Sequence, residues 1–117
     1  MSIYDKAHEL ARLLNTSAEY QALVGAKKVL EQDSKAQELV RDFLAKQMAY
    51  EYERMTGQPS TEKEADLQKF MEVLMLNQTA AQFLQAHFKF QRLMADIYKV
   101  LGDSIAEGMD IFGKLPR

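Results

Sequence analysis

Between residues 83 and 105 the apolar side chains keep a helical step for more than three turns. Phe83, His87, Phe90, Met94, Ile97 and Leu101 recur at alternating spacings of four and three. A second row, Leu84, Phe88, Gln91, Met94, Tyr98, Leu101 and Ile105, runs beside the first. A narrow seam would be a coiled coil, but two adjoining rows make a face too wide for one partner helix. Such a helix is expected to pack inside its own domain and against another chain as well.

The rest of the chain has the same period. Ile3, Ala7, Leu10 and Leu14, flanked by Tyr4 and Ala11, predict a first short amphipathic helix over about 3–15. Thr16 with Glu19 has capping-box spacing and opens a second helix over about 18–31, carrying Tyr20, Leu23, Val24, Ala26 and Leu30. Gly25 within it suggests a close helix crossing. Asp33-Ser34 breaks the pattern, with Ser34 and Gln37 as the next cap pair. A long third helix, about 34–57, should turn Leu39, Val40, Phe43, Leu44 and Met48 inward and reach Tyr52 and Met55. Gly57 suits its C′ position and Pro59 blocks continuation. Thr61 with Glu64 then starts the second arm of a hairpin, about 61–107, with Leu67, Phe70, Met71 and Leu74 buried and Met75 as a further candidate. Asn77 is a fair N-cap, so the pattern fits either a break there or one unbroken helix about 70 Å long. The tail, 108–117, keeps Met109, Ile111, Phe112 and Leu115 as apolar positions and should either dock on a neighbour or fray.

Only five Gly and two Pro punctuate 117 residues, which favours helix nearly throughout and fits one domain. Apolar residues at 47% and charged residues at 27% are ordinary globular values. Fifteen basic and seventeen acidic residues leave a formal charge of −2, evenly divided between the two halves. That balance gives no polybasic patch for phosphate neutralisation, so direct nucleic-acid binding is disfavoured. No apolar run approaches a membrane span and no export signal opens the chain, so the expected home is the cytoplasm.

Candidate chemistry is sparse. The chain has no cysteine, which excludes disulfides, thiolate metal sites and cysteine nucleophiles. Its two histidines, His8 and His87, stand in neither Glu-x-x-His nor His-x-x-x-His spacing, so no metal or other cofactor is expected. His87 instead reads as a partly buried, hydrogen-bonded histidine at a helix interface. No Gly-rich phosphate loop and no nucleophile elbow occur, and Ser17, Ser34, Ser60 and Ser104 sit at helix ends or on helix faces. Phe88-Lys89-Phe90-Gln91-Arg92 interleaves rings with cations, but at 100° per residue it reads as a core row beside a solvated face. No catalytic residue is assigned.

Several stretches match a known group. They are Tyr4-Asp5-Lys6-Ala7-His8-Glu9-Leu10-Ala11, Ser17-Ala18-Glu19-Tyr20, Asp42-Phe43 followed by Gln47, and Asn77 leading to Phe83-Leu84-Gln85-Ala86 and Leu93-Met94-Ala95-Asp96-Ile97. In these the chain resembles the small helical proteins of the YlbF/YmcA group of mostly Gram-positive bacteria, closest to the YheA-like branch. The resemblance implies an all-α fold: a long helical hairpin with two short N-terminal helices, assembling as an oligomeric helical bundle. It also implies a non-enzymatic regulatory role linked to RNA processing, competence, sporulation and biofilm formation. Some members hold iron–sulfur clusters through cysteines, a property that this chain does not inherit. The expectation is a cytoplasmic interaction protein whose partners are itself and another protein, with a direct RNA-binding accessory factor as the alternative. Self-association is assigned to Phe83, His87, Phe90, Met94, Ile97 and Leu101, with Ile111 and Phe112 from the tail.

Overall fold

The computed structural model describes residues 2–57 and 61–110. Five helices follow in order: α1 (Ile3–Thr16), α2 (Ala18–Leu30), α3 (Ser34–Met55), α4 (Thr61–Leu74) and α5 (Gln78–Met109). Among the described residues there is no strand. Ile111, Phe112 and Leu115 lie outside the described residues, as does the cap preceding Thr61.

Short polar side chains set the boundaries. Ser2 accepts the Asp5 amide and the Asp5 carboxylate accepts the Ser2 amide, a capping box not among the expected ones although its S-x-x-D spacing signals it. The next two caps fall one residue from their expected places. Ser17, not Thr16, caps α2 by accepting the Tyr20 amide at 3.1 Å, while the Thr16 hydroxyl donates back to the Arg12 carbonyl. Asp33, not Ser34, caps α3 through the Ala36 amide. Gln37 does not complete that cap; its side-chain amide donates to the carbonyls of Leu30 and Glu31, tying off the end of α2. Gly57 takes φ +79° just past α3, where a side chain would be strained.

The span expected as the second hairpin arm is two helices. Met71, Val73 and Leu74 carbonyls close a turn over Met75–Asn77, and Asn77 caps α5 through the Ala80 amide at 3.0 Å. The hairpin proper is therefore α3 with α4, and α5 leaves on a course of its own beside α2 and α3.

All these turns bring helix ends to one hub. Leu30 ends α2, Ala36, Val40 and Phe43 come from the first half of α3, Leu74 ends α4, and Ala80 and Leu84 open α5. Leu74 and Leu84 are wholly buried. The Phe43 ring lies 6.4 Å from that of Phe70 and 6.3 Å from that of Phe88, and the Lys46 ammonium sits over the Phe70 ring, 5.5 Å from its centroid. From the hub the α3–α4 hairpin runs out to a tip where Glu53 pairs with Lys63.

Burial stops early along both arms. Met48, expected inward, is 73% exposed, and Tyr52 and Met55 continue its row in the open. Met75, the further candidate for burial, is 38% exposed. Gly25 marks no crossing: nothing lies within 4 Å of where its Cβ would stand. The molecule measures 47 × 38 × 15 Å, so it is no more than two helices deep. Its radius of gyration is 18.0 Å, where a compact chain of this length would have about 13 Å.

Candidate interaction surface

The face assigned to self-association divides into a covered and an uncovered part. Phe83 is half-buried and lines a shallow apolar hollow with Leu30, Val40 and Leu44. Phe90 packs on Tyr20 of α2, the ring centroids 5.4 Å apart. Met94 and Ile97 are half-buried. Leu101 is exposed. α2 thus lies antiparallel along the first half of α5, its Leu30 near Phe83 and its Ala18 near Asp96.

His87 lies between two phenyl rings, stacked on Phe83 at 5.8 Å and tilted against Phe88 at 5.7 Å. The expected hydrogen bond to it does not occur among the described residues. Burial among these rings disfavours the charged imidazolium and lowers its pKa below the ordinary 6.5.

Past Asp96 the picture changes. No residue of α5 beyond Ala86 is buried, and Tyr98, Leu101, Ile105 and Met109 form a row with each side chain at least half exposed. These four sit at spacings of three, four and four, one stripe of a helix surface. Gly102 and Gly108 lie beside it with open space around them. At the other end of the chain α1 has no buried residue either, although Ile3 and Leu13 are among the largest apolar side chains it carries. Of the row that periodicity gives for α1, Leu10 and Leu14 are half-buried while Ile3 and Ala7 are exposed.

Charge along this surface is mixed. The groove between α2 and α5 is lined by Glu19 and Asp96 as well as Lys89 and Arg92. Lys99 and Asp103 neutralise each other at 2.8 Å on α5, as do Lys6 and Glu9 at 3.1 Å on α1. No group of three or more His, Cys, Asp or Glu among the described residues is placed to hold a metal ion. No helix among them is long and apolar enough to cross a membrane.

Known proteins similar in sequence align with most of this chain. A UPF0342 protein of Caldicellulosiruptor saccharolyticus is 31% identical over 115 residues, covering 97% of this chain and 96% of its own. One from Streptococcus agalactiae serotype V is 34% identical over 101 residues, 86% of this chain and 91% of its own. One from Desulfitobacterium hafniense is 30% identical over 108 residues, 92% and 87% of the two chains. Residues 3–106, which take in α1 to α4 and α5 as far as the stripe's Ile105, match the family described as "Control of competence regulator ComK, YlbF/YmcA". The chain belongs to the YlbF/YmcA family.

Proposed function

We propose that this chain is a non-enzymatic regulatory adaptor of the cytoplasm, which works as a homo-dimer or higher oligomer and in that form engages another protein. The regulation is of the kind tied to competence, and with it to sporulation, biofilm formation and RNA processing. Family membership supports the regulatory part.

The observation that carries the assembly is surface area. The chain exposes 9269 Å², where a compact protein of 13.4 kDa exposes about 6,500 Å². The surplus is comparable with what an obligate dimer hides, roughly 2,000–5,000 Å² in total. It includes apolar side chains in rows rather than singly scattered, and rows of that kind mark interaction sites. The self-association face runs along α5 through Phe83, His87, Phe90, Met94, Ile97 and Leu101. Its first half also serves the fold within the chain, and its second half supplies the free surface.

Light scattering with size-exclusion chromatography tests this. The wild type should elute with at least twice the mass of one chain. Leu101→Asp should remain helical by circular dichroism and lose that mass. A monomeric wild type would overturn the assembly. A tagged pull-down from the native cell, with and without nuclease, tests the adaptor role. A protein recovered in both arms supports it, and recovery that collapses with nuclease moves the function to direct RNA association.

A further inference from the structure

The bare row of α3 and the bare row of α5 leave from one place. Leu30, Val40, Leu44 and Phe83 line the apolar hollow between the end of α2, the first half of α3 and the start of α5. On α3 the side that bears Leu44 continues, at spacings of four, four and three, through Met48, Tyr52 and Met55. Each of these three is at least two-thirds exposed. On α5 the side that bears Phe83 continues through the half-buried His87 and Met94 to the exposed Tyr98, Leu101, Ile105 and Met109. Helical period thus puts both rows on the side of the molecule where the hollow opens. α4 does not come between them. It meets α3 at Phe43 and Glu53, each about 140° around the helix from Met48.

Area decides what such a face can hold. With a large apolar side chain taken at about 200 Å², either row leaves about 450 Å² open. Two copies meeting through one row alone would bury about 900 Å², short of the roughly 1,200–2,000 Å² of a stable interface. Both rows together supply about 900 Å² from each copy, about 1,800 Å² in the pair, which lies within that range.

Charge decides the partner. The ion pairs beside the rows close within their own helices: Arg54 with Glu51 at 3.6 Å on α3, Lys99 with Asp103 at 2.8 Å on α5. The rim of the hollow carries both signs, Lys27 and Arg41 with Glu31. A face so balanced has no field to steer a strongly acidic or basic partner, and it meets its own copy without like-charge repulsion.

We propose that the hollow and the two rows leaving it form one continuous face, and that its occupant is the same face of a second copy of this chain. The contact is isologous: what is covered in one copy is covered in the other, and the assembly closes at a dimer. The self-association proposed above underlies this assignment, which carries the interface from α5 onto α3.

The native chain has no cysteine, so an introduced thiol reports alone. Full-length chains carrying Met48→Cys, Met55→Cys or Leu101→Cys are to be labelled with a maleimide above and below the concentration at which the particle dissociates. All three should label at least tenfold more slowly in the dimer. Met48→Asp should weaken the dimer at least tenfold in a dilution series and leave the helical signal unchanged. A dimer that shields Leu101→Cys while both α3 thiols label at the monomer rate, and that Met48→Asp leaves intact, overturns the shared face. Self-association through α5 would then still stand. A wild type of monomer mass at every concentration overturns both readings together.

Discussion

The hub and the far end of α5 are built from the same kinds of residue at the same spacing, and they differ in what lies opposite. Leu84 and Leu101 both sit on apolar rows of α5. Leu84 is wholly buried because α2, α3 and α4 end or begin around it, whereas Leu101 is 52% exposed because none of them reaches that far. An amphipathic helix therefore carries no mark that distinguishes a core from an interface. The distinction comes from the turns, which decide where neighbouring helices stop.

The comparison breaks most sharply with truncations in the two regions. Leu84→Ala should cost about 2–5 kcal/mol in denaturant unfolding, the transfer term plus the cavity left among helices that cannot all close in. Ile105→Ala, measured at concentrations where the chain is unassembled, should stay within about 0.5 kcal/mol of wild type. Equal losses would mean that α5 is covered along its whole length. Asn77→Ala comes next, at about 0.5–2 kcal/mol, since it removes the cap that starts α5 at the hub.

Gly25→Ala should raise stability by roughly 0.5–1 kcal/mol, because the site is helical and the added methyl meets nothing. The same variant sharpens the interface map: an assembly that weakens while its chains gain stability would place a second copy against Gly25. The smallest effect belongs to His87. Its folded pKa lies below 6.5, so the unfolded chain takes up a proton first as pH falls. Stability should be complete above 6.5 and decline as the pH drops through and below it, and His87→Gln should flatten that decline in thermal scans across the same range.

The helices and most of the hub were legible in the sequence. Val40, Phe43, Leu74 and Leu30 are inward by period alone, and Gly57 ends α3 where a left-handed residue is required. What misled was local equivalence. Thr16 and Ser17 are both competent caps, as are Asp33 and Ser34, and one hydrogen bond decides between neighbours. Met48, Tyr52 and Met55 continue the inward row of α3, and only the divergence of α5 at Asn77 leaves them uncovered. Of the residues assigned to self-association, Phe83 and Phe90 already have partners within the chain, and the uncovered row extends to Tyr98, Ile105 and Met109. Period shows that a face is apolar. It does not show how far the next helix extends over it.

The antiparallel seating of α2 on α5 has a consequence for the order of folding. Tyr20 meets Phe90 across a separation of some seventy residues, whereas α3 ends at Met55 and α4 starts at Thr61. Closing the longer loop carries the larger entropic cost, so the α3–α4 hairpin is the natural nucleus and α2 docks on α5 late. Changes at Phe70 or Phe43 should then slow refolding, while changes at Tyr20 should act mainly by hastening unfolding.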